Sequence, residues 1–138
     1  MSLSLEQKLA IHELLSRAAY AYDERDLDLL ENSFDPDAVM SMRIAGGDLI
    51  GPFEGRDGIL QLMKNSMAEQ TDVRRHVVSN IFFESAGEPA VVISNLTLLS
   101  TQNGVASLLA TGVYRDTVVE KDGSWRLLKR HLDLDSPY

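Results

Sequence analysis

The sequence predicts a single α+β domain in which helices pack on one side of a curved antiparallel sheet. Two observations carry this. Helical periodicity is confined to the first half of the chain, and four long strand-like runs joined by hairpin turns fill the second half. The length of 138 residues allows one hydrophobic core but not two, so residues 1–138 form one domain.

Ser4 followed by Gln7 reads as a capping box opening the first helix. Leu5, Ala10, Ile11, Leu14, Leu15, Ala18, Ala19 and Tyr22 then recur at helical spacing, so the helix extends to about residue 22. The stretch "ERDLDLLENSF" reads as a short second helix with Leu27, Leu30 and Phe34 on one face. Pro36 in "DPDA" stops it, because proline has no amide hydrogen and pushes Asp35 into an extended conformation. "AVMSMRI" is strand-like, "AGGD" is a turn and "IGPFEG" is an irregular crossing. "RDGILQLMKNSMAEQ" gives a third helix with Ile59, Leu62, Met63 and Met67 on its stripe. Four strands follow at roughly 73–84, 89–100, 105–120 and 124–134, separated by "SAGEP", "TQNG" and "EKDG".

Composition narrows the function. The net charge of −8 disfavours nucleic acid and anionic membrane surfaces, both of which require a basic face. The absence of cysteine removes disulfides, thiolate metal sites and cysteine nucleophiles. The opening "MSLSLEQKLAIHELL" has no basic leader followed by an uninterrupted apolar core, and no apolar run reaches membrane-spanning length; the expected setting is the cytoplasm. The histidines, at 12, 76 and 131, fall on different elements without ligand spacing, so neither a metal nor another cofactor is expected. His131, Asp133 and Asp135 in "HLDLD" share a strand face, where solvated surface is the ordinary reading and a metal site the minority one. There is no phosphate-binding loop and no serine in a nucleophile elbow.

Strand alternation singles out candidates. In "DVRRHVVSNIFF", His76, Val78, Asn80 and Phe82 share a face. On the last strand Arg126, Leu128, Arg130, Leu132 and Leu134 share the face we take as inward, with Trp125, Leu127, Lys129, His131 and Asp133 outward. A buried Arg130 requires an anionic partner. Ile11, Leu15, Ala19 and Asp23 lie four apart on one ridge of the first helix, so Asp23 is available. A carboxylate beside a neutral imidazole is also a base arrangement, because it fixes the tautomer and stabilises the imidazolium. From the residues alone the bland readings stand beside these: His76 as a core or strand-edge residue, Asp23 as a turn residue, Arg130 as a salt bridge and Tyr22 as core packing.

The stretches "AYAYDERDLDLLENSFDPDAV", "RRHVVSNIFFE" and "ATGVYRDTVVEKDGSWRLLKRHLDLD" resemble the SnoaL-like branch of the nuclear transport factor 2-like superfamily, over nearly the whole chain. The resemblance implies a cone of curved antiparallel sheet closed by three helices around a central pocket. The branch includes scytalone dehydratase, bile-acid dehydratase and hexachlorocyclohexane dehydrochlorinase. In these lyases an Asp–His pair removes a proton. The family aspartate falls on Asp23, the histidine on His76, and an inward arginine of the dehydrochlorinase on Arg130. The second histidine and paired phenols of scytalone dehydratase have no matching motif; Tyr22, Tyr20 and Tyr114 are the available phenols.

The expectation is therefore a cofactor-independent lyase or isomerase, of dehydratase, dehydrohalogenase or polyketide-cyclase type, acting on a small hydrophobic, cyclic molecule. Asp23 and His76 would be catalytic, and Tyr22, Asn80, Phe82, Tyr114 and Arg130 would bind substrate. A non-catalytic ligand-binding domain, or a structural subunit like the small subunit of ring-hydroxylating dioxygenases, are the alternatives. Outward residues such as Leu99, Val113 and Val119 require cover, and family members associate through that face, so a homodimer is expected, with a trimer next.

Overall fold

The computed structural model describes residues 2–138. Its elements run α1 (Leu5–Asp23), α2 (Leu27–Ser33), β1 (Phe34–Ile44), β2 (Ile50–Glu54), α3 (Arg56–Glu69), β3 (Val73–Ser85), β4 (Ala90–Gln102), β5 (Val105–Lys121) and β6 (Ser124–Leu134). The expected capping box is present: the Gln7 amide donates to Ser4 Oγ at 3.1 Å and the Ser4 amide to Gln7 Oε1 at 2.8 Å. Asp26 caps α2 by accepting from the Leu29 amide at 3.1 Å. The chain leaves α2 directly into β1, with Pro36 inside the strand.

The six strands form one sheet in the order β2-β1-β6-β5-β4-β3. From β3 to β6 it is the expected antiparallel meander. The expectation of an entirely antiparallel sheet is corrected at one seam. β1 lies parallel to β6, because the segment between them, carrying α3 and four strands, returns the chain in the same direction. "IGPFEG", expected to be irregular, is the edge strand β2, where Pro52 is tolerated because one side of the strand needs no ladder donor. The sheet curves without closing on itself.

Two β-bulges decide which residues face the helices. In β3, Ser79 pairs with Asn95 but Phe82 pairs with Ile93, so Asn80 and Ile81 together oppose Ser94. Asn80 takes φ 54°, the left-handed conformation that asparagine tolerates better than most side chains. In β6, Thr117 pairs with Lys129 and Val118 with Leu127, leaving Leu128 unpaired. Each extra residue reverses the alternation beyond it. Trp125 and Leu127, expected outward, are therefore buried together with Arg130, Leu132 and Leu134.

The core fills the narrow space between helices and sheet. Ile11, Leu14, Leu15, Ala18 and Ala21 form the buried stripe of α1. They pack with Leu30, Phe34, Ile59, Val92, Val118 and Leu127. A second cluster, Leu96, Ala110, Tyr114, Leu132 and Leu134, lines the sheet further along. Among the described residues no helix is long and apolar enough to cross a membrane.

Candidate active site

A cavity of about 240 Å³ lies between the sheet and the helices. Its walls come from Ala18, Ala19 and Tyr22 of α1, Leu62, Met63 and Ser66 of α3, Met40 and Met42 of β1, and Phe53 of β2. The sheet adds His76, Val78, Tyr114, Arg130 and Leu132. Most of these side chains are apolar, and the ionisable ones are Tyr22, His76, Tyr114, Arg130 and Tyr138.

Asp23 and His76 meet at one wall. The end of α1 delivers the carboxylate and the start of β3 the imidazole. His76 Nδ1 lies 2.6 Å from Asp23 Oδ1, and the His76 backbone amide donates to Asp23 Oδ2 at 2.8 Å. A carboxylate only accepts, so Nδ1 carries a ring hydrogen, and in the neutral imidazole the lone pair is then on Nε2. Nε2 makes no hydrogen bond among the described residues, and the side chain lines the cavity. Tyr22 stands edge-on to the ring, centroids 4.9 Å apart. Its hydroxyl accepts from Gln70 Nε2 at 3.0 Å, which leaves the phenolic hydrogen free to donate. Burial raises the Tyr22 phenol above its ordinary value, with the Gln70 hydrogen bond opposing.

A second polar group occupies the sheet. Arg130, only 8% exposed, donates from Nε to Asp116 Oδ1 at 2.9 Å and from Nη2 to Oδ2 at 3.1 Å. The two residues are paired across β5 and β6, and Asp116 is 0% exposed. The third nitrogen, Nη1, makes no hydrogen bond within the described chain. The guanidinium sits over the Tyr114 ring, 4.0 Å from its centroid. Burial alone would lower the arginine's pKa; the Asp116 charge outweighs it and the guanidinium is held above its ordinary value. Burial pushes the Tyr114 phenol up to about 12 against the opposing pull of Arg130. At the rim, Arg74, bonded to Asp72 at 3.1 Å, lies 5.4 Å from the Tyr138 ring centroid.

Of the sequence candidates, the structure gathers Tyr22, His76, Tyr114 and Arg130 on the cavity wall, with Asp23 directly behind His76. Asn80 and Phe82 are not there. The β3 bulge turns them outward, leaving Asn80 exposed and Phe82 57% exposed, while Ile81 and Phe83 pack against the core instead. Asp23 is not the partner of Arg130; Asp116 is. That residue was missed, although "YRD" puts Tyr114 and Asp116 on one strand face, which is a readable signal. Gln70 and Tyr138 were also missed, being reached only by tertiary packing. Tyr20 is exposed and outside the main cavity.

The "HLDLD" residues do not converge on one point. His131 bonds Ser41 Oγ at 2.8 Å and Asp133 at 3.1 Å, while Asp135 accepts from Thr111 Oγ1 at 2.6 Å. Among the described residues no group of three or more potential ligands is placed to hold a metal ion.

A hydrophobic-walled cavity between three helices and a curved sheet, with an Asp–His pair at its edge, is the arrangement expected of the SnoaL-like domains. Residues 3–131 match the SnoaL-like domain, and the chain belongs to that family. No curated protein sequence matches it. Among solved structures it is similar to a protein of unknown function with a cystatin-like fold from Nostoc punctiforme, at 21% identity and TM-score 0.82, covering 98% of this chain and 96% of that one. It is similar to a nuclear transport factor 2-like protein with a cystatin-like fold from Novosphingobium aromaticivorans, at 20% identity and TM-score 0.79, covering 94% and 82%. It is also similar to a proposed scytalone dehydratase from Novosphingobium aromaticivorans, at 25% identity and TM-score 0.76, covering 94% and 85%. These likenesses establish the fold.

Proposed function

We propose that the protein is a lyase or isomerase in which His76 removes a proton from an acidic carbon of a small hydrophobic, cyclic substrate. The observation that carries this reading is the double hold of Asp23 on His76, which fixes the tautomer and leaves Nε2 as the free base beside the cavity. The C–H electron pair moves into the substrate as an enolate, and Nε2 becomes N–H. The resulting imidazolium is stabilised by the Asp23 carboxylate. Arg130 and Tyr22 supply hydrogen-bond donors for the developing oxyanion or a departing group. Expulsion of hydroxide or halide from the neighbouring carbon completes an elimination; return of the proton to another carbon completes an isomerisation. Neither route needs a cofactor. The likeness to a proposed scytalone dehydratase agrees with the elimination branch.

The test is hydrogen–deuterium exchange at the α-carbon of small cyclic ketones in D2O, followed by NMR. Exchange above the spontaneous rate, lost in His76→Ala, is the expected result. A ketone that binds in the cavity without enhanced exchange would leave a ligand-binding domain and no proton-abstracting enzyme.

A further inference from the structure

We infer that Gln70 is a positioning residue: it holds the Tyr22 oxygen from outside the cavity and so directs the phenolic hydrogen inward, toward the substrate. This role rests on the proposed proton abstraction and adds to it the residue that governs its hydrogen-bond donor.

Gln70 follows α3 directly, and its backbone is fixed on two sides. Its amide donates to the Met67 carbonyl at 3.1 Å, and its carbonyl accepts from Arg25 Nη2 at 3.0 Å. Arg25 is itself held at the end of α1, at φ 57°, with its amide donating to the Tyr22 carbonyl at 3.1 Å. From this fixed base the Gln70 side chain reaches the Tyr22 hydroxyl, with Nε2 at 3.0 Å. Gln70 is not part of the cavity wall that carries His76 and Arg130. It lies in a polar groove on the other side of Tyr22, with Asp23, Arg25, Asp72 and Arg74, while Tyr22 faces both spaces. The amide therefore acts on Tyr22 and leaves the substrate space untouched.

A phenol oxygen that accepts an N–H cannot send its own hydrogen back along the same line, because the two hydrogens would collide. The Tyr22 hydrogen is left the side away from Gln70, which is the cavity side. The charge around the phenol agrees with this. Burial is the largest influence and raises its pKa; the Gln70 bond opposes burial, Tyr138 and Asp23 add to the rise, and Arg74 works against it. His76 stands edge-on to the same ring. Gln70 thus makes a buried phenol a better donor to a developing oxyanion. It also links donor to base. Gln70 and His76 lie on one run of chain leading from α3 into β3, and they grip successive residues of α1, Tyr22 and Asp23.

The experiment labels the four tyrosines with 13C at Cζ and follows the Tyr22 signal, assigned by its loss in Tyr22→Phe, as pH is raised. Gln70→Met keeps the length and loses the donor, so the phenol should titrate at higher pH than in the unaltered protein. A lower value would mean that Gln70 accepts the phenolic hydrogen, and an unchanged value that the two do not interact; either overturns the inference. Gln70→Ala gives the same reading should that variant fail to fold. Turnover supplies a second arm, with 2-tetralone as the probe. The kcat of its His76-dependent α-exchange should fall by about ten-fold in Gln70→Met with KM unchanged, less than the roughly 10²- to 10³-fold loss when an oxyanion donor is deleted outright. Added to Tyr22→Phe, Gln70→Met should have no further effect. An equal fall in that background would show Gln70 acting by another path and overturn the inference. The two readings fail separately: no exchange by the unaltered protein sinks the enzyme, while the phenol titration still decides whether Gln70 sets the Tyr22 hydroxyl.

Discussion

Asp23 holds His76 at two points, the ring nitrogen at 2.6 Å and the backbone amide at 2.8 Å. The same carboxylate thus anchors the start of β3 to the end of α1 and sets the tautomer of the imidazole. Asp23→Asn keeps an acceptor for the amide but offers an NH2 group that can face Nδ1. The ring then favours the hydrogen on Nε2, where it cannot act as a base. Imidazole 15N shifts should report this tautomer change, and turnover should fall by about 10²-fold or more. Because the pair acts as a unit, the double variant with His76→Ala should be little worse than the worse single one. Unchanged 15N shifts would remove the orienting role of Asp23.

The Arg130–Asp116 pair makes a different prediction, about stability. Arg130→Met strands a fully buried carboxylate and should cost about 3–5 kcal/mol. Adding Asp116→Leu should recover much of that loss, because the uncompensated charge is gone. Urea unfolding of the two single variants and the double variant measures the coupling. A double variant as unstable as the sum of the singles would show that charge matching is not what holds the pair.

Asp35 and Lys121 make opposite contributions to the pH dependence of stability. Asp35 is 0% exposed, and Lys121 Nζ lies 2.8 Å from its Oδ1 off the hydrogen-bonding axis, so the contact is an ion pair. Burial would raise the Asp35 carboxyl; the lysine and the Asp37 amide outweigh it and hold it below its ordinary 3.8. Its contribution is therefore complete above the unfolded value and is lost as pH falls through the lower folded one. Lys121 is raised above 10.5 by the Asp35 partner, so its contribution is complete below that value and lost as pH rises through the folded one. Asp35→Asn should flatten the acid limb of a melting-temperature profile. A variant profile parallel to the unaltered one below pH 4 would contradict this.

Phe82 and Phe83 test the bulge. Phe82→Ala, on the exposed side, should change stability by no more than about 0.5 kcal/mol. Phe83 packs against the core beside His12, so Phe83→Ala should cost about 2 kcal/mol. Equal losses would mean that the strand does not switch faces at Asn80.

The outward face of β3, β4 and β5 exposes Val77, Leu99, Leu108 and Val113, which lie on adjoining ladder rungs. We expect it to be covered by a second copy. Light scattering at micromolar concentration should give a dimer that Leu99→Glu converts to monomer. A monomer in the unaltered protein would leave this face without its expected partner.

Much of the fold was legible because local signals agreed. Ser4 and Gln7 marked the start of α1, and "TQNG" and "EKDG" marked hairpins whose strands are observed within a residue or two of expectation. Strand alternation reached His76 and Arg130 correctly. It failed at Asn80, Phe82, Trp125 and Leu127, because a bulge is a property of two paired strands and leaves only a faint mark in one of them. The parallel seam between β1 and β6 was hidden for the same reason, and Gln70 was invisible because 48 residues separate it from the hydroxyl it supports.

The unpaired residue in β3 behaves like a shift of reading frame within a strand. Upstream of Asn80 the even positions 76 and 78 face the ligand space; downstream the odd positions 81 and 83 face the interior. Deleting Asn80 would leave Ile81 alone opposite Ser94 and restore plain alternation with Phe82 still outward, whereas inserting one further residue would turn the apolar side of the distal strand to solvent and bring Phe82 inward, with composition and length almost unaltered. Descendants of this chain should therefore tolerate many exchanges of side chain between Ser79 and Phe83, and even the loss of the extra residue, but not the gain of another.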